Sequence, residues 1–213
     1  MVEWVYANAK AAKNLDDVII LTDDERIADA VKKFGGKFEM TDPSCNSGTE
    51  RILSVLDKFH CDIAINIQGD EPLVKAADLD RLVEGLVKSK DAPVATLITK
   101  IHDKSLVQNP NVVKVVLDNW NNGIYFSRAN IPFDRDNTGT VQYFQHIGIY
   151  AYKTEILKKF NSLEGKILEN IEKLEQLRFL ENGYKIKTVE TENTYISVDI
   201  ADDLDAVEKY LRK

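Results

Sequence analysis

Short apolar runs alternate with helix-like segments along the first half of this chain, and this alternation constrains the fold more than any other feature. Residues 18–21, 62–67 and 93–99 have the composition of buried strands, and residues 25–34 and 76–88 have helical periodicity. Parallel strands need crossover connections, which are usually helices. The pattern therefore predicts an α/β domain with a doubly wound, mostly parallel sheet of the Rossmann-like type.

The second half of the chain departs from this alternation. Strand-like segments joined by turn signals such as Asn121-Asn122-Gly123 predict a hairpin-rich insertion over about residues 112–152. We also predict helices over 1–12, 49–59, 171–181 and 201–211, and strands over 37–40, 112–117, 123–126, 146–152 and 185–189. With no repeat and no linker, residues 1–213 are predicted to form a single domain.

Composition excludes several classes of function. The chain has 28 Lys and Arg against 35 Asp and Glu, a formal charge of -7, so it lacks the cationic surface that nucleic acids require. No apolar stretch approaches the roughly 18 residues of a membrane span, and the first residues lack a secretory signal pattern. Two cysteines, Cys45 and Cys61, indicate reduced, buried thiols in a cytoplasmic protein.

Ligands of doubly wound sheets bind beyond the carboxyl ends of the strands, and three acidic groups fall at such ends. Residues 22–24 are best explained as a helix cap. Asp70 and Glu71 follow an apolar strand. Their carboxylates are suited to Mg²⁺, but a purely structural role in a tight turn explains them equally well. Asp199 is either a second metal ligand or part of the cap of the last helix, and the cap is favoured.

A polar loop of small residues, 46–51, opens the predicted helix 49–59. Thr49 has the residue type of an N-cap, and exposed backbone amides together with Ser47 offer contacts to a base or a sugar. Taken alone, this loop is a weak signal.

Several motifs in one order give the chain a recognisable pattern. They are Asn46 to Ile52 (NSGTERI), Asn66 to Pro72 (NIQGDEP), Asn109 to Val116 (NPNVVKVV), Tyr125 to Pro132 (YFSRANIP), His146 to Tyr152 (HIGIYAY), Leu174 to Gly183 (LEQLRFLENG) and Val198-Asp199. With these motifs, the sequence closely resembles the CMP-Kdo synthetases (3-deoxy-manno-octulosonate cytidylyltransferases) over essentially its whole length.

The resemblance implies a nucleotidyl transfer. In this family the anomeric C2 hydroxyl of Kdo (3-deoxy-D-manno-octulosonate), an acidic sugar, attacks the α-phosphate of CTP, giving CMP-Kdo and pyrophosphate for lipopolysaccharide biosynthesis. By motif, Asp70 and Asp199 match catalytic Mg²⁺ ligands. The positions that match cytidine contacts are Ser47, Gly48, Arg51 and Gln68. The positions that match the sugar-acid pocket are Arg128, Arg135, His146, Tyr150, Glu175 and Gln176.

These residue types fit the expected substrates. A carboxylate is bound by Arg or protonated His, and sugar hydroxyls are bound by groups such as Glu175 and Gln176. Phosphoryl transfer needs mainly positioning and charge neutralisation, which two aspartates holding Mg²⁺ supply. Ordinary structural roles stay open from the sequence alone: His146 as a half-buried strand residue, and Glu175 with Arg178 as a helical ion pair.

The resemblance also sets alternatives and expectations for the whole molecule. Family members are usually homodimers, so a homodimer is expected, with residues 112–152 in sugar binding and dimerisation. A cytidylyltransferase for amino-Kdo or a sialic acid is the nearest alternative, and a non-catalytic nucleotide-binding remnant is another. A sugar transferase is disfavoured by the motifs at 68–72 and 174–183.

One part of the family's pattern has no counterpart in the chain. The family places a strand and an Arg- and Lys-bearing loop, of the type IPARxxSxRLPxKPL, ahead of the helix that here begins at Met1. That loop cradles the CTP triphosphate in the family, and its strand lies between those corresponding to 18–21 and 62–67. We therefore expect the chain as printed to be N-terminally truncated, with two exposed strand edges, and to be poorly folded or inactive alone.

Overall fold

A mixed sheet with helices on both faces forms the centre of the structure, a computed structural model that describes residues 1–193, 195–198 and 200–211. The strands are β1 (Ile20–Thr22), β2 (Phe38–Met40), β3 (Ile63–Asn66), β4 (Val94–Ile101), β5 (Lys114–Leu117), β6 (Gly123–Ser127), β7 (Tyr143–Lys153) and β8 (Ile186–Glu190). The helices are α1 (Val2–Lys10), α2 (Glu25–Lys33), α3 (Gly48–Val55), α4 (Ala76–Lys88), α5 (Ser105–Gln108), α6 (Thr154–Leu157), α7 (Ile167–Glu172), α8 (Leu177–Glu181) and α9 (Ala201–Leu211).

The larger sheet has the strand order β6-β5-β7-β4-β8, with β3 also paired to β7. Strands β3, β4 and β5 are each antiparallel to β7, and β8 is parallel to β4, so four of the six strands run in one direction. The predicted α/β class is confirmed, and the sheet is mostly parallel in that most of its strands share one direction. The predicted hairpin is the antiparallel pair β5–β6, which joins this sheet through β5.

The two strands β1 and β2 form a separate parallel pair. Among the described strands, β1 pairs with β2 alone and β3 pairs with β7 alone, so each has one edge without a strand partner. These are the two strands between which the family resemblance implies a further strand.

Alternate residues of the central strands belong to two hydrophobic layers, one on each face of the sheet. In β4, Val94 and Ile98 pack with α6 and α8, whereas Ala95 and Leu97 pack against α1 and α4 on the other face. Leu82 of α4 is fully buried there, and each such leucine stabilises the fold by about 1.5–3 kcal/mol. Because both faces of the sheet are covered, its strand ends are the places left open for a ligand.

Most predicted elements are confirmed, and their bounds differ by a few residues. Helices 76–88 and 201–211 lie where the sequence predicts them, and Asp24 caps α2 by accepting the Arg26 N–H at 2.7 Å. The single helix predicted over 171–181 is wrong, because Lys173 adopts a left-handed conformation (φ 55°) and separates α7 from α8. The prediction of buried thiols is also wrong, since Cys45 is half-buried and Cys61 is exposed.

Candidate active site

A cavity of about 400 Å³ opens where β3 ends, between the start of α3, the middle of β7 and the segment that joins α7 to α8. Its lining is Ser47, Gly48, Asn66, Gln68, Glu71, Asn111, Val113, Gln145, His146, Ile147, Gly148, Tyr150, Lys173, Leu174, Glu175, Gln176, Tyr195 and Ser197. Polar side chains dominate this list, as expected for a site that binds hydroxyl groups and phosphates.

The first wall is the start of α3 against the end of β3. Ser47 is the N-cap of α3, its Oγ accepting the Glu50 N–H at 3.2 Å, so the expected N-cap Thr49 is a wrong assignment. A Cβ atom on Gly48 would lie 3.0 Å from Asn66 Nδ2 and 3.2 Å from Gln68 Nε2. Glycine thus lets the helix start pack directly against two side-chain amides that face the cavity.

The second wall is β7, which contributes His146 and Tyr150. His146 Nε2 lies 3.1 Å from Thr96 Oγ1, and burial lowers the pKa of His146 to about 3. The Tyr150 ring stacks on Tyr152 with centroids 5.7 Å apart, and burial raises the pKa of its phenol. Both side chains are therefore neutral near pH 7.

The third wall is the break between α7 and α8, where Lys173, Glu175 and Gln176 reach the cavity. Burial raises the pKa of the Glu175 carboxyl, although hydrogen bonds from Ser47 and Thr49 oppose the rise. Gln176 is 3% exposed, and its Nε2 has no hydrogen-bond partner within the described residues. A buried donor without a partner costs stability, so this amide is suited to a ligand acceptor.

Polar contacts of Glu172 and Lys114 fix the chain next to this third wall. Glu172 accepts the Ser127 hydroxyl at 2.6 Å and the Arg128 N–H at 3.0 Å. The fully buried Lys114 ammonium donates to the backbone carbonyls of Asn109 (3.0 Å), Val112 (2.6 Å) and Arg128 (2.6 Å). These bonds fix the ends of β5 and β6 beside the residues that line the cavity.

The structure brings together seven of the predicted substrate contacts in one cavity: Ser47, Gly48, Gln68, His146, Tyr150, Glu175 and Gln176. Three predicted arginines are not among the lining residues. Arg128 donates Nε to the Glu172 carbonyl at 2.8 Å, and Arg51 Nη2 lies 3.3 Å from Asp23 Oδ2. Arg135 is exposed. Their assignment to substrate binding stays a prediction.

Asp70 lies beside the cavity rather than in its lining. Ser197 Oγ donates to Asp70 Oδ2 at 3.2 Å, and the Val198 N–H donates to the Asp70 carbonyl at 3.0 Å. The C-terminal segment therefore returns to the end of β3. Asp199 lies outside the described residues, and within them no cluster of three or more acidic, His or Cys side chains is placed to hold a metal.

Several lining residues were missed from the sequence. Asn66 and Asn111 stand inside the quoted motifs, so the pattern contained a signal for them. Lys173, Gln145 and Tyr195 have none, because the left-handed turn at Lys173, the register of β7 and the path of the C-terminal segment come from tertiary packing.

Comparisons with known proteins agree with this geometry. The family model described as "Cytidylyltransferase" matches residues 1–186. A solved structure of a CMP:2-keto-3-deoxy-manno-octonic acid synthetase complexed with CTP superposes with a TM-score of 0.93 at 36% identity, covering 99% of this chain and 87% of that one. A 4-diphosphocytidyl-2C-methyl-D-erythritol synthase from Anaerococcus prevotii (TM-score 0.67, 16% identity, 100% and 86% covered) shares the fold. Fold and cavity together define a nucleotidyltransferase of the cytidylyltransferase class.

Curated relatives narrow this class. The 3-deoxy-manno-octulosonate cytidylyltransferase of Fusobacterium nucleatum is 47% identical over 100% of this chain and 86% of its own length. That of Solibacter usitatus is 44% identical over 100% of this chain and 84% of its own length. The chain belongs to the 3-deoxy-manno-octulosonate cytidylyltransferase family.

Within the described residues, no helix has the length and apolar character needed to span a membrane.

Proposed function

We propose that this chain transfers CMP from CTP to the anomeric hydroxyl of Kdo, giving CMP-Kdo and pyrophosphate for lipopolysaccharide biosynthesis. The observation that carries the proposal is one cavity whose lining includes Ser47, Gly48 and Gln68, which match cytidine contacts of the family, and His146, Tyr150, Glu175 and Gln176, which match its sugar-acid contacts. The names of the relatives and the CTP complex of the similar solved structure support the same reaction.

The cavity walls divide the recognition of the two substrates. We assign the amides of Asn66 and Gln68, next to the start of α3, to the cytidine. We assign Glu175 and the unpartnered Nε2 of Gln176 to the sugar hydroxyls, as acceptor and donor. Lys173 is the cationic side chain among the described lining residues, and we assign to it the carboxylate of the sugar acid.

Magnesium is the proposed cofactor, and the donors near β3 fit it. The Asp70 carboxylate is half-buried and keeps a hard oxygen ligand at the cavity edge, with Asp199 proposed as the second ligand. When bound, the ion neutralises phosphate charge at the reacting centre. Asp70, Ser197 and the backbone of Val198 hold that edge of the site in place.

A pyrophosphate-release assay with CTP, Kdo and Mg²⁺ tests the proposal, with Asp70→Asn as the variant. Loss of the metal-binding charge is expected to lower kcat by about 100-fold or more. Asp57→Asn, which alters an exposed carboxylate paired with Lys158 at 3.3 Å, is the matched control and keeps full activity. Equal activity of Asp70→Asn and wild type would reject the metal role.

The same pyrophosphate-release assay, run with amino-Kdo or a sialic acid in place of Kdo, identifies which sugar acid is the substrate. The proposal requires the highest kcat/KM for Kdo. CTP binding measured by calorimetry without any pyrophosphate release would instead indicate a non-catalytic nucleotide-binding protein.

The family resemblance also leads us to propose a homodimer formed through residues 112–152. Trp120, Ile124 and Phe133 in this part are 72%, 58% and 82% exposed, which supports a covered apolar surface in the assembled enzyme. The cytoplasmic location expected from the sequence stays a prediction.

A further inference from the structure

The pairing of β4 with β7 contains an irregularity next to the cavity. Thr96 lies opposite Tyr150 and Leu97 lies opposite Ile147, so Gly148 and Ile149 of β7 have no partner residue in β4. Such a bulge redirects side chains locally and leaves backbone carbonyls without ladder partners. Here the carbonyls of Ile147 and Ile149 lie 3.1 Å and 2.9 Å from Thr96 Oγ1.

The Thr96 hydroxyl therefore has three polar neighbours but only one proton. The third neighbour is His146 Nε2, at 3.1 Å. Carbonyl oxygens can only accept, whereas a ring nitrogen of histidine can either donate or accept. The arrangement is satisfied when Thr96 donates its proton to a bulge carbonyl and accepts a hydrogen bond from a protonated Nε2.

We propose that Thr96 is a positioning residue, which fixes His146 as the neutral Nε2–H tautomer and leaves Nδ1 as a hydrogen-bond acceptor for the ligand. Thr96 is fully buried, so no water competes for its hydroxyl. The rings of Phe126, edge-on at 5.1 Å, and Tyr150, at 5.3 Å, hold the imidazole plane. Within the described residues, Thr96 is the hydrogen-bond partner of the imidazole ring, through Nε2.

This assignment changes the chemistry expected of His146. A protonated histidine would bind the carboxylate of the sugar acid, as the sequence suggested. A neutral ring with Nδ1 unprotonated instead accepts a hydrogen bond, which suits a hydroxyl group of the sugar. The identity of that hydroxyl donor rests on the proposed function, whereas the tautomer does not.

Nitrogen-15 NMR of the histidine-labelled full chain tests the tautomer directly. The chain has three histidines, and His146→Gln identifies the signals of His146. The expected result is a protonated Nε2 and an unprotonated Nδ1 between about pH 5 and pH 8, the range in which free histidine titrates. A protonated Nδ1 in the wild-type chain would overturn the proposal whatever its activity.

Variants of Thr96 test its positioning role. Thr96→Val keeps the shape and removes the hydroxyl, and we expect it to lose the fixed tautomer, whereas Thr96→Ser restores it. Thr99→Val, on the same strand and half-buried, is the matched control and leaves the His146 signals unchanged. A wild-type tautomer in Thr96→Val would show that the hydroxyl does not set it.

Steady-state kinetics separate this role from general damage to the fold. Thr96→Val is expected to raise KM for Kdo about tenfold with KM for CTP unchanged, and Thr96→Ser to behave as wild type. Equal changes in both KM values, or no change in either, would contradict the role. If the wild-type chain shows no turnover, the proposed function fails, and the NMR result still decides the tautomer.

Discussion

Gly48 shows how one missing side chain shapes the site. It is the first residue of α3, and its Cα approaches two amides so closely that a methyl group would lie 3.0 Å and 3.1 Å from the Asn66 side-chain nitrogen and oxygen. Contacts this short force a neighbour to move by a few tenths of an ångström. The amide of Gln68, 3.2 Å from the same methyl position, would have to move as well.

Gly48→Ala should therefore weaken nucleotide binding while the fold survives. We expect Kd for CTP to rise about tenfold, because displaced amides no longer match their ligand. The free energy of unfolding should change by less than about 1 kcal/mol, since alanine stabilises a helix by about that amount and offsets the crowding. Calorimetry with CTP and urea unfolding measure the two effects. Ser54→Ala, exposed on the same helix, is the control, and an unchanged Kd in Gly48→Ala would contradict the prediction.

At the level of single residues, the motifs predicted many of the residues that line the cavity, but the arginines predicted there do not line it. Gln68, Glu175 and Gln176 line it as predicted. Arg128 was expected there because its charge suits a carboxylate, yet its Nη1 donates to the Pro110 carbonyl at 3.0 Å. A residue type shows which bonds a side chain can form, and only the packed loops show which bonds it does form.

Asp78 links two elements that the sequence keeps far apart. This fully buried carboxylate in α4 accepts hydrogen bonds from Thr191 Oγ1 (2.9 Å), Asn193 Nδ2 (2.7 Å) and Tyr195 Oη (2.8 Å), and it pairs with Arg81. The segment after β8 is thereby fixed to the start of α4. That segment carries Tyr195 and Ser197 to the cavity and to Asp70.

The same bonds set the ionisation of Asp78. Burial alone would raise the pKa of its carboxyl, but the hydrogen bonds from Arg81, Asn193, Tyr195 and Thr191 outweigh burial and lower it below 3.8. A pKa lowered by folding means that the unfolded chain binds protons more readily. The stabilisation is therefore complete above the unfolded pKa and is lost as the pH falls through the folded one.

Asp78→Asn should loosen this link and remove its pH dependence. We expect a loss of about 2–3 kcal/mol in the free energy of unfolding at pH 7, because an amide leaves buried donors unpaired. The difference from wild type should shrink as the pH falls through the lowered pKa. Urea unfolding across this range measures both effects. Asp29→Asn, an exposed carboxylate paired with Lys32 at 2.9 Å, should change stability by less than about 1 kcal/mol. A pH-independent difference at Asp78 would contradict the assignment.

Whole elements were predictable where one periodicity ran without interruption. Helix α4 has an unbroken apolar stripe of buried leucines, so its extent follows from the sequence. The break at Lys173 does not, because the helical pattern of Ile171, Leu174 and Leu177 continues through it. Leu174 and Leu177 are buried in one cluster with Phe179, and this packing overrides the local helical preference.

At the scale of the whole molecule, the sequence predicted the layers better than the pairing of strands. Two apolar faces and covering helices follow from composition and alternation. The central place of β7, which pairs with β3, β4 and β5, does not, because register is set by contacts distant in the chain.

The proposed homodimer can be tested through the exposed apolar side chains of residues 112–152. Sedimentation equilibrium is expected to give twice the 24.1 kDa of one chain. Phe133→Asp places a charge on an 82% exposed ring in the proposed interface and should weaken association by at least about tenfold, the effect of 1.4 kcal/mol or more at an interface centre. Ile27→Asp, on α2 and 40% exposed, lies outside residues 112–152 and should leave the mass unchanged. A monomeric wild type, or a dimer lost only in Ile27→Asp, would place the contact elsewhere and reject the proposed interface.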